Sequence, residues 1–133
     1  VDVTRYTQAE QDAIAVTKRI LDELYRAVQA DGADFLFMLG SVTADVNYPA
    51  ISSGNYANLD NLETMADDII GPYARNNSIP TLDLVVPLRR YSVENQMYLH
   101  GCPESGGGHW NRTAHELVAD WLYAHLQEND YLP

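Results

Sequence analysis

The sequence contains little cysteine, little positive charge and no long apolar run. Its 133 residues include one cysteine, Cys102, so no disulfide can form within the chain. Acidic residues outnumber basic residues by 19 to 8, and the net charge of −11 disfavours binding to nucleic acid or to anionic membranes. No stretch approaches the roughly 20 apolar residues of a transmembrane helix. The composition therefore predicts a soluble protein without a nucleic-acid or membrane partner.

The length and the apolar content predict one domain over residues 1–133. An apolar fraction of 46% is enough for one modest core. The chain begins at Val1 without an initiator Met, and its first residues lack the order of a signal peptide. The compartment therefore stays unknown, and a removed leader would imply a secreted or periplasmic protein.

The N-terminal segment predicts a long helix that leads into a strand. Thr7 to Glu10 has the form of a capping box, and apolar residues then recur at helical spacing until Asp31-Gly32. An unbroken apolar run follows from Ala33 to Leu39 and predicts a strand buried on both faces. This order is typical of parallel α/β proteins.

The middle of the chain predicts a long loop and a second helix. The segment from Gly40 to Asn58 is rich in Ser, Asn, Gly and Tyr, and loops of that length often line a site. A helix is expected from a cap at Asp60 or Asn61 to about Arg75, with Gly71-Pro72 as a kink or an early end.

The C-terminal half predicts a second strand and a last helix. Ile79 to Val86 is expected to form a second buried strand, with a short helix or turn from Pro87 to Met97. Tyr98-Leu99 is expected to be briefly extended, and Asn111 is expected to cap a helix that reaches Leu126.

The order of these elements predicts an α/β fold with three layers and a parallel sheet. Two strands would leave unpaired edges in such a sheet. The remaining strands are therefore expected from elsewhere: a missing N-terminal segment, a second polypeptide or another copy in a homo-oligomer.

His109 is the most informative candidate for chemistry. A glycine-rich loop delivers it just ahead of the last helix, where an imidazole can reach into a cleft at the end of a sheet. Histidine can take a proton from a serine and return it to a leaving alcohol. The alternative is an ordinary hydrogen-bonded surface or core histidine.

The block from Gly108 to Ala119 resembles the final block of the SGNH (GDSL-like) hydrolase superfamily, which has the form H-x-N-x-x-G-H followed by a helix. Ile79 to Leu84 resembles the strand that precedes this block, and the resemblance covers about Ala13 to Leu126. It implies a flavodoxin-like fold of which this chain supplies the C-terminal portion and only part of the sheet. It also implies that His109 is the general base and that no metal or organic cofactor is required.

The sequence departs from that family at two other catalytic positions. Gly106 and Gly107 stand where the family places its Asp, so Glu104 is the nearest acid that could orient the imidazole. No Gly-Asp-Ser segment occurs, and the resemblance implies a nucleophile supplied from outside this chain. Ser41, in Gly40-Ser41 after the first predicted strand, is the candidate nucleophile within it.

Aromatic residues near His109 are candidate substrate contacts. Trp110, Tyr98 and Tyr48 are predicted to lie near the site and could stack on sugar rings, although half-buried packing is the commoner role of such residues. A zinc site is a further alternative, built from His100, Cys102, His109 and His115, but their spacing matches no common zinc motif.

Taken together, the residues and the resemblance predict part of a serine esterase or O-acyltransferase. The expected substrate is a small acyl ester or an acetylated carbohydrate, and His109 is the expected base. A binding or structural module of the same fold, without catalysis, is the alternative because the Asp and the nucleophile are missing.

Overall fold

The computed structural model describes residues 3–41, 46, 69–101 and 108–132. The mixed α/β class expected from the sequence is confirmed. Contacts group the chain into two compact units, one containing the helices at residues 8–30 and 71–76 and the other containing the helices at residues 85–94 and 112–128. The helices and strands are α1 (Gln8–Ala30), β1 (Phe37–Leu39), α2 (Gly71–Asn76), β2 (Thr81–Asp83), α3 (Val85–Glu94) and α4 (Arg112–Glu128).

The long first helix is confirmed, together with its capping box. The Thr7 hydroxyl accepts from the Glu10 N–H at 3.4 Å, and the Glu10 carboxylate accepts from the Thr7 N–H at 2.8 Å. The helix ends at Ala30, and Gly32 follows with a φ of 72°, a conformation that glycine adopts readily. One face of α1 buries Ile14 and Leu21, whereas another exposes Val16, Ile20 and Leu24.

The core of the first unit joins α1 to α2. Leu21, Ala74 and Ile79 are buried together, with Tyr25 and Phe35 packed against them. The hydroxyl of Tyr73 donates to the Asp22 carboxylate at 2.7 Å. This hydrogen bond raises the pKa of the Tyr73 hydroxyl above its ordinary value, because the proton it donates is held by the carboxylate.

The predicted second helix is only partly described; of the two alternatives at Gly71-Pro72, the early end is wrong and the kink stays a prediction. Ile69 and Ile70 form a π-helical turn, and α2 then begins at Gly71 and continues to Asn76. Pro72 lies in the first turn of α2. Backbone N–H groups there have no acceptor within the α-helix, so the absence of an N–H in proline costs no helical hydrogen bond. Gly71-Pro72 therefore starts an α-helix instead of ending one.

The two strands form a small parallel sheet, and both are shorter than expected. The Phe37 N–H donates to the Pro80 carbonyl at 2.8 Å, and the Leu84 N–H donates to the Leu39 carbonyl at 3.1 Å. Each strand has three residues, whereas the apolar runs predicted seven and eight.

The expected burial of both strand faces is wrong for the described sheet. Met38, in the middle of β1, is 39% exposed, and all three residues of β2 are half-buried. The physical reason is that burial of a strand face depends on the elements that pack against it, and the face of β1 that carries Met38 is only partly covered.

The end of the second predicted strand is helical. Val85 and Val86 open α3, and the Asp83 carboxylate accepts from the Val85 N–H at 3.0 Å. Leu84, Val85 and Leu88 are fully buried, so this apolar run packs as the buried side of a helix. The periodicity of a short apolar run does not distinguish a buried strand from the buried side of a helix.

The second unit has its own core around α3 and α4. The helix expected from Asn111 is confirmed, and its Ala114 and Val118 pack into this core. The buried cluster consists of Val46, Leu84, Leu88, Leu99, Ala114 and Val118. In the described ranges, no helix is long and apolar enough to cross a membrane.

Candidate functional site

A hydrogen-bonded serine–histidine pair lies in the second unit. Ser41 stands two residues after β1, and its Oγ lies 3.1 Å from Nε2 of His100. The other ring nitrogen of His100, Nδ1, lies 2.9 Å from the carbonyl oxygen of Gly108. Trp110 completes the arrangement, because its indole N–H donates to Ser41 Oγ at 3.1 Å.

The partners limit the direction of these bonds. The Gly108 carbonyl can only accept, so Nδ1 of His100 carries a proton, and in a neutral imidazole Nε2 then accepts from the Ser41 hydroxyl. The Trp110 indole can only donate, so Ser41 Oγ accepts one bond while it donates another. The chain of bonds therefore runs from Trp110 through Ser41 and His100 to Gly108.

The pair lies in a protected environment. His100 is 2% exposed, and Ser41 and Trp110 are half-buried. The Trp110 ring also covers Gly40, where an added Cβ would lie 3.5 Å from its Cζ2. Burial strengthens these hydrogen bonds and makes the loss of either partner costly.

His109 has the opposite environment. Its side chain is exposed, and its imidazole makes no hydrogen bond to another described residue. Its backbone is nevertheless held, because its carbonyl accepts from the Gly101 N–H at 2.8 Å. His100 and Trp110 form an isolated antiparallel bridge that lies next to this bond.

Asn111 anchors the same segment to α4. Its side-chain carbonyl accepts from the Ala114 N–H at 3.1 Å, which caps the helix, and its side-chain N–H donates to the Tyr98 carbonyl at 2.7 Å. Its backbone N–H donates to the Leu99 carbonyl at 3.0 Å. The predicted brief extended piece at Tyr98-Leu99 is therefore paired with the segment that carries His109.

The other predicted site residues lie in different surroundings. Trp110 lies beside Ser41, and its ring packs against the buried core and meets His115 edge-on at 5.7 Å. Tyr98 is half-buried and contributes its carbonyl to Asn111. Glu104 and Tyr48 lie outside the described residues, as does Cys102 of the zinc alternative.

Within the described ranges, no group of three or more His, Cys, Asp or Glu side chains could hold a metal ion. Three members of the zinc alternative fall in those ranges: His100 is bonded to Ser41, His109 is exposed, and His115 lies on the exposed side of α4. The chemistry that the described residues bring together is therefore that of one hydroxyl, on Ser41, and one imidazole, on His100.

Sequence reasoning missed the pairing of His100 with Ser41. It assigned His100 only to the zinc alternative, because no local motif marks the residue. The two partners are 59 residues apart, and Trp110 is 69 residues from Ser41, so only the folded chain brings them together.

Comparisons with protein-family models, with curated proteins and with solved structures each found no significant match for this chain.

Proposed function

We propose that this chain is the histidine-bearing part of an SGNH-like serine esterase or O-acyltransferase, with His109 as the general base. In this reaction a serine hydroxyl attacks an acyl ester, and the base takes the hydroxyl proton and returns it to the leaving alcohol. The reaction requires no metal or organic cofactor.

One observation carries the proposal: an exposed imidazole on a fixed backbone. The His109 side chain is exposed, whereas its carbonyl is bonded to Gly101 and the residues on both sides of it are hydrogen-bonded. A general base must reach its substrate and must also hold a fixed orientation. His109 meets the first requirement better than His100, which is 2% exposed, and the hydrogen-bonded backbone of His109 contributes to the second.

The proposal also includes the parts that complete the site. The nucleophilic serine comes from outside this chain, on a second polypeptide or on an N-terminal segment that adds strands to a three-layer, flavodoxin-like sheet. Glu104 or an acid from that partner orients His109. The substrate is a small acyl ester or an acetylated carbohydrate, with Tyr98 and Trp110 near the leaving group.

The test measures hydrolysis of p-nitrophenyl acetate by the purified protein together with any polypeptide that co-purifies with it. We expect His109→Ala to lower kcat/KM by about 100-fold or more, as loss of a general base does. His125→Ala is the matched control, because His125 lies in the last turn of α4 and stacks on Tyr131. Its rate should equal that of the wild type.

Two results would contradict the proposal. Equal rates for the wild type and His109→Ala would remove His109 from the reaction. A wild-type preparation without hydrolysis, although mass spectrometry detects a second polypeptide with a Gly-Asp-Ser segment, would favour the non-catalytic module of the same fold.

A further inference from the structure

The Ser41–His100 pair holds both chain neighbours of His109. Gly108 precedes His109, and its carbonyl accepts from Nδ1 of His100 at 2.9 Å. Trp110 follows His109, and its indole donates to Ser41 Oγ at 3.1 Å. Because Ser41 and His100 are bonded to each other, one pair holds the backbone before His109 and the side chain after it.

The geometry disfavours a nucleophile–base role for this pair. Proton transfer from Ser41 would leave a positive charge on His100, which is 2% exposed. The group that orients His100 is the neutral carbonyl of Gly108, whereas an acyl-transfer triad uses a carboxylate that stabilises the imidazolium. No described residue supplies an anionic partner to His100, and a buried cation without one is costly.

The same geometry suits a structural link. Each polar group in the chain of bonds is satisfied while His100 is neutral, and such fully bonded networks make a region rigid. Gly108 has a φ of 103°, a conformation open mainly to glycine, so the backbone just before His109 is also defined.

We propose that Ser41 and His100 are positioning residues that fix the orientation of His109 in the acyl-transfer site, and this proposal rests on the proposed function. Ser41 follows β1, so the pair connects the end of a strand to the loop that presents the base. Movement at this strand end would then be transmitted to His109 through Trp110 and Gly108.

The main test compares Ser41→Ala with Ser41→Thr. We expect Ser41→Ala to speed amide hydrogen exchange at Gly101 and Asn111 by about tenfold, because a buried hydrogen-bonding partner is lost. We also expect kcat for p-nitrophenyl acetate to fall by about tenfold, while the midpoint of the pH profile stays unchanged. Ser41→Thr keeps the hydroxyl and should restore both values towards those of the wild type.

Two further variants control for general destabilisation. Thr81→Val removes a half-buried hydroxyl that donates to the Ile79 carbonyl at 2.7 Å, far from His109 in sequence, and should leave exchange at Gly101 and Asn111 unchanged. Should Ser41→Ala fail to fold, Trp110→Phe keeps an aromatic ring and removes only the indole donor. Trp110→Phe should change hydrogen exchange and kcat in the same direction as Ser41→Ala does, by a smaller factor.

The outcomes separate the two proposals. Faster exchange in Ser41→Ala with no esterase activity in the wild type contradicts the proposed function and supports the structural link. Unchanged exchange and unchanged kcat in Ser41→Ala contradict the positioning role and leave the proposed function standing. Covalent labelling of Ser41 by a fluorophosphonate, with all activity lost and exchange unchanged in Ser41→Ala, would make Ser41 the nucleophile and overturn the positioning role.

Discussion

The N-termini of α1 and α4 are both capped by a polar side chain, but they are built differently. At α1 the hydrogen bonds are local and exposed, and they join Thr7 to Glu10 within the first turn. At α4 the capping residue Asn111 also bonds to Tyr98, which lies 13 residues earlier in the chain. The first cap serves only its own helix, whereas the second also fixes the segment that presents His109.

The largest expected effect is a difference in stability loss between deletion of the α4 cap and deletion of the α1 cap. Asn111→Ala removes a helix cap and leaves the Tyr98 carbonyl without its donor, so the free energy of unfolding should fall by about 2 kcal/mol. Urea denaturation followed by circular dichroism measures this loss. A loss no larger than that of the α1 cap would contradict the non-local role of Asn111.

Asn111→Asp is the matched control for that prediction. An aspartate still accepts from the Ala114 N–H and favours a helix N-terminus, but it cannot donate to the Tyr98 carbonyl. Its loss of stability should therefore lie between those of the wild type and Asn111→Ala. Under the proposed function, esterase activity should fall in both variants, since both release Tyr98 from the segment that carries His109.

A smaller effect is expected at the start of α1. Thr7→Ala should lower the free energy of unfolding by about 1 kcal/mol, the usual cost of losing a helix cap. Thr7→Ser keeps the hydroxyl and should stay close to the wild type. Neither variant should alter p-nitrophenyl acetate hydrolysis, and a change in kcat would show that the first cap is also linked to the site.

The smallest expected effect is a pH dependence of stability at the α1 cap, which the α4 cap should not show. The Thr7 hydroxyl and backbone N–H donate to the Glu10 carboxylate and lower its pKa below the ordinary 4.5. A carboxylate whose pKa is lower in the folded state than in the unfolded state stabilises the fold at pH values above its unfolded-state pKa. That stabilisation is lost as the pH falls through its folded-state pKa. The difference in Tm between the wild type and Thr7→Ala should therefore shrink below about pH 4.5, as thermal melts can measure.

Asn111 gives the reference for that measurement, because its amide does not titrate. Titration of the cap should therefore not change the difference in Tm between the wild type and Asn111→Ala over the same pH range. A parallel pH response at both caps would contradict the assignment of the effect to Glu10.

The sequence allowed the local features of this fold to be predicted. The capping box at Thr7, the length of α1 and the cap at Asn111 all depend on residues within a few positions of each other. Propensity and spacing determine such features. The mixed α/β class followed from the order of those elements.

Features that depend on tertiary packing were not predicted correctly. The run ending in Val85 and Val86 was expected as strand and is helix, because burial of Leu84 and Leu88 suits either structure. The partner of His100 could not be read from any window of sequence, since the bond to Ser41 spans 59 residues.

The candidate base itself was found through the final block, and its role stays a prediction. The exposure of His109 was not foreseen, since a cleft was expected around its imidazole. The residues that hold its backbone were also missed, apart from Asn111, because they are distant in sequence or act through carbonyl groups that no side-chain motif records.

The contact between Trp110 and Ser41 gives the molecule an internal optical reporter. Indole fluorescence depends on hydrogen bonding and on access of water to the ring, and Trp110 is half-buried with its N–H committed to Ser41. Release of that bond would shift the emission of Trp110 towards longer wavelengths, while Trp121→Phe would remove the other indole signal. Movement of the segment from Gly108 to Asn111 could then be timed in solution, without an added label.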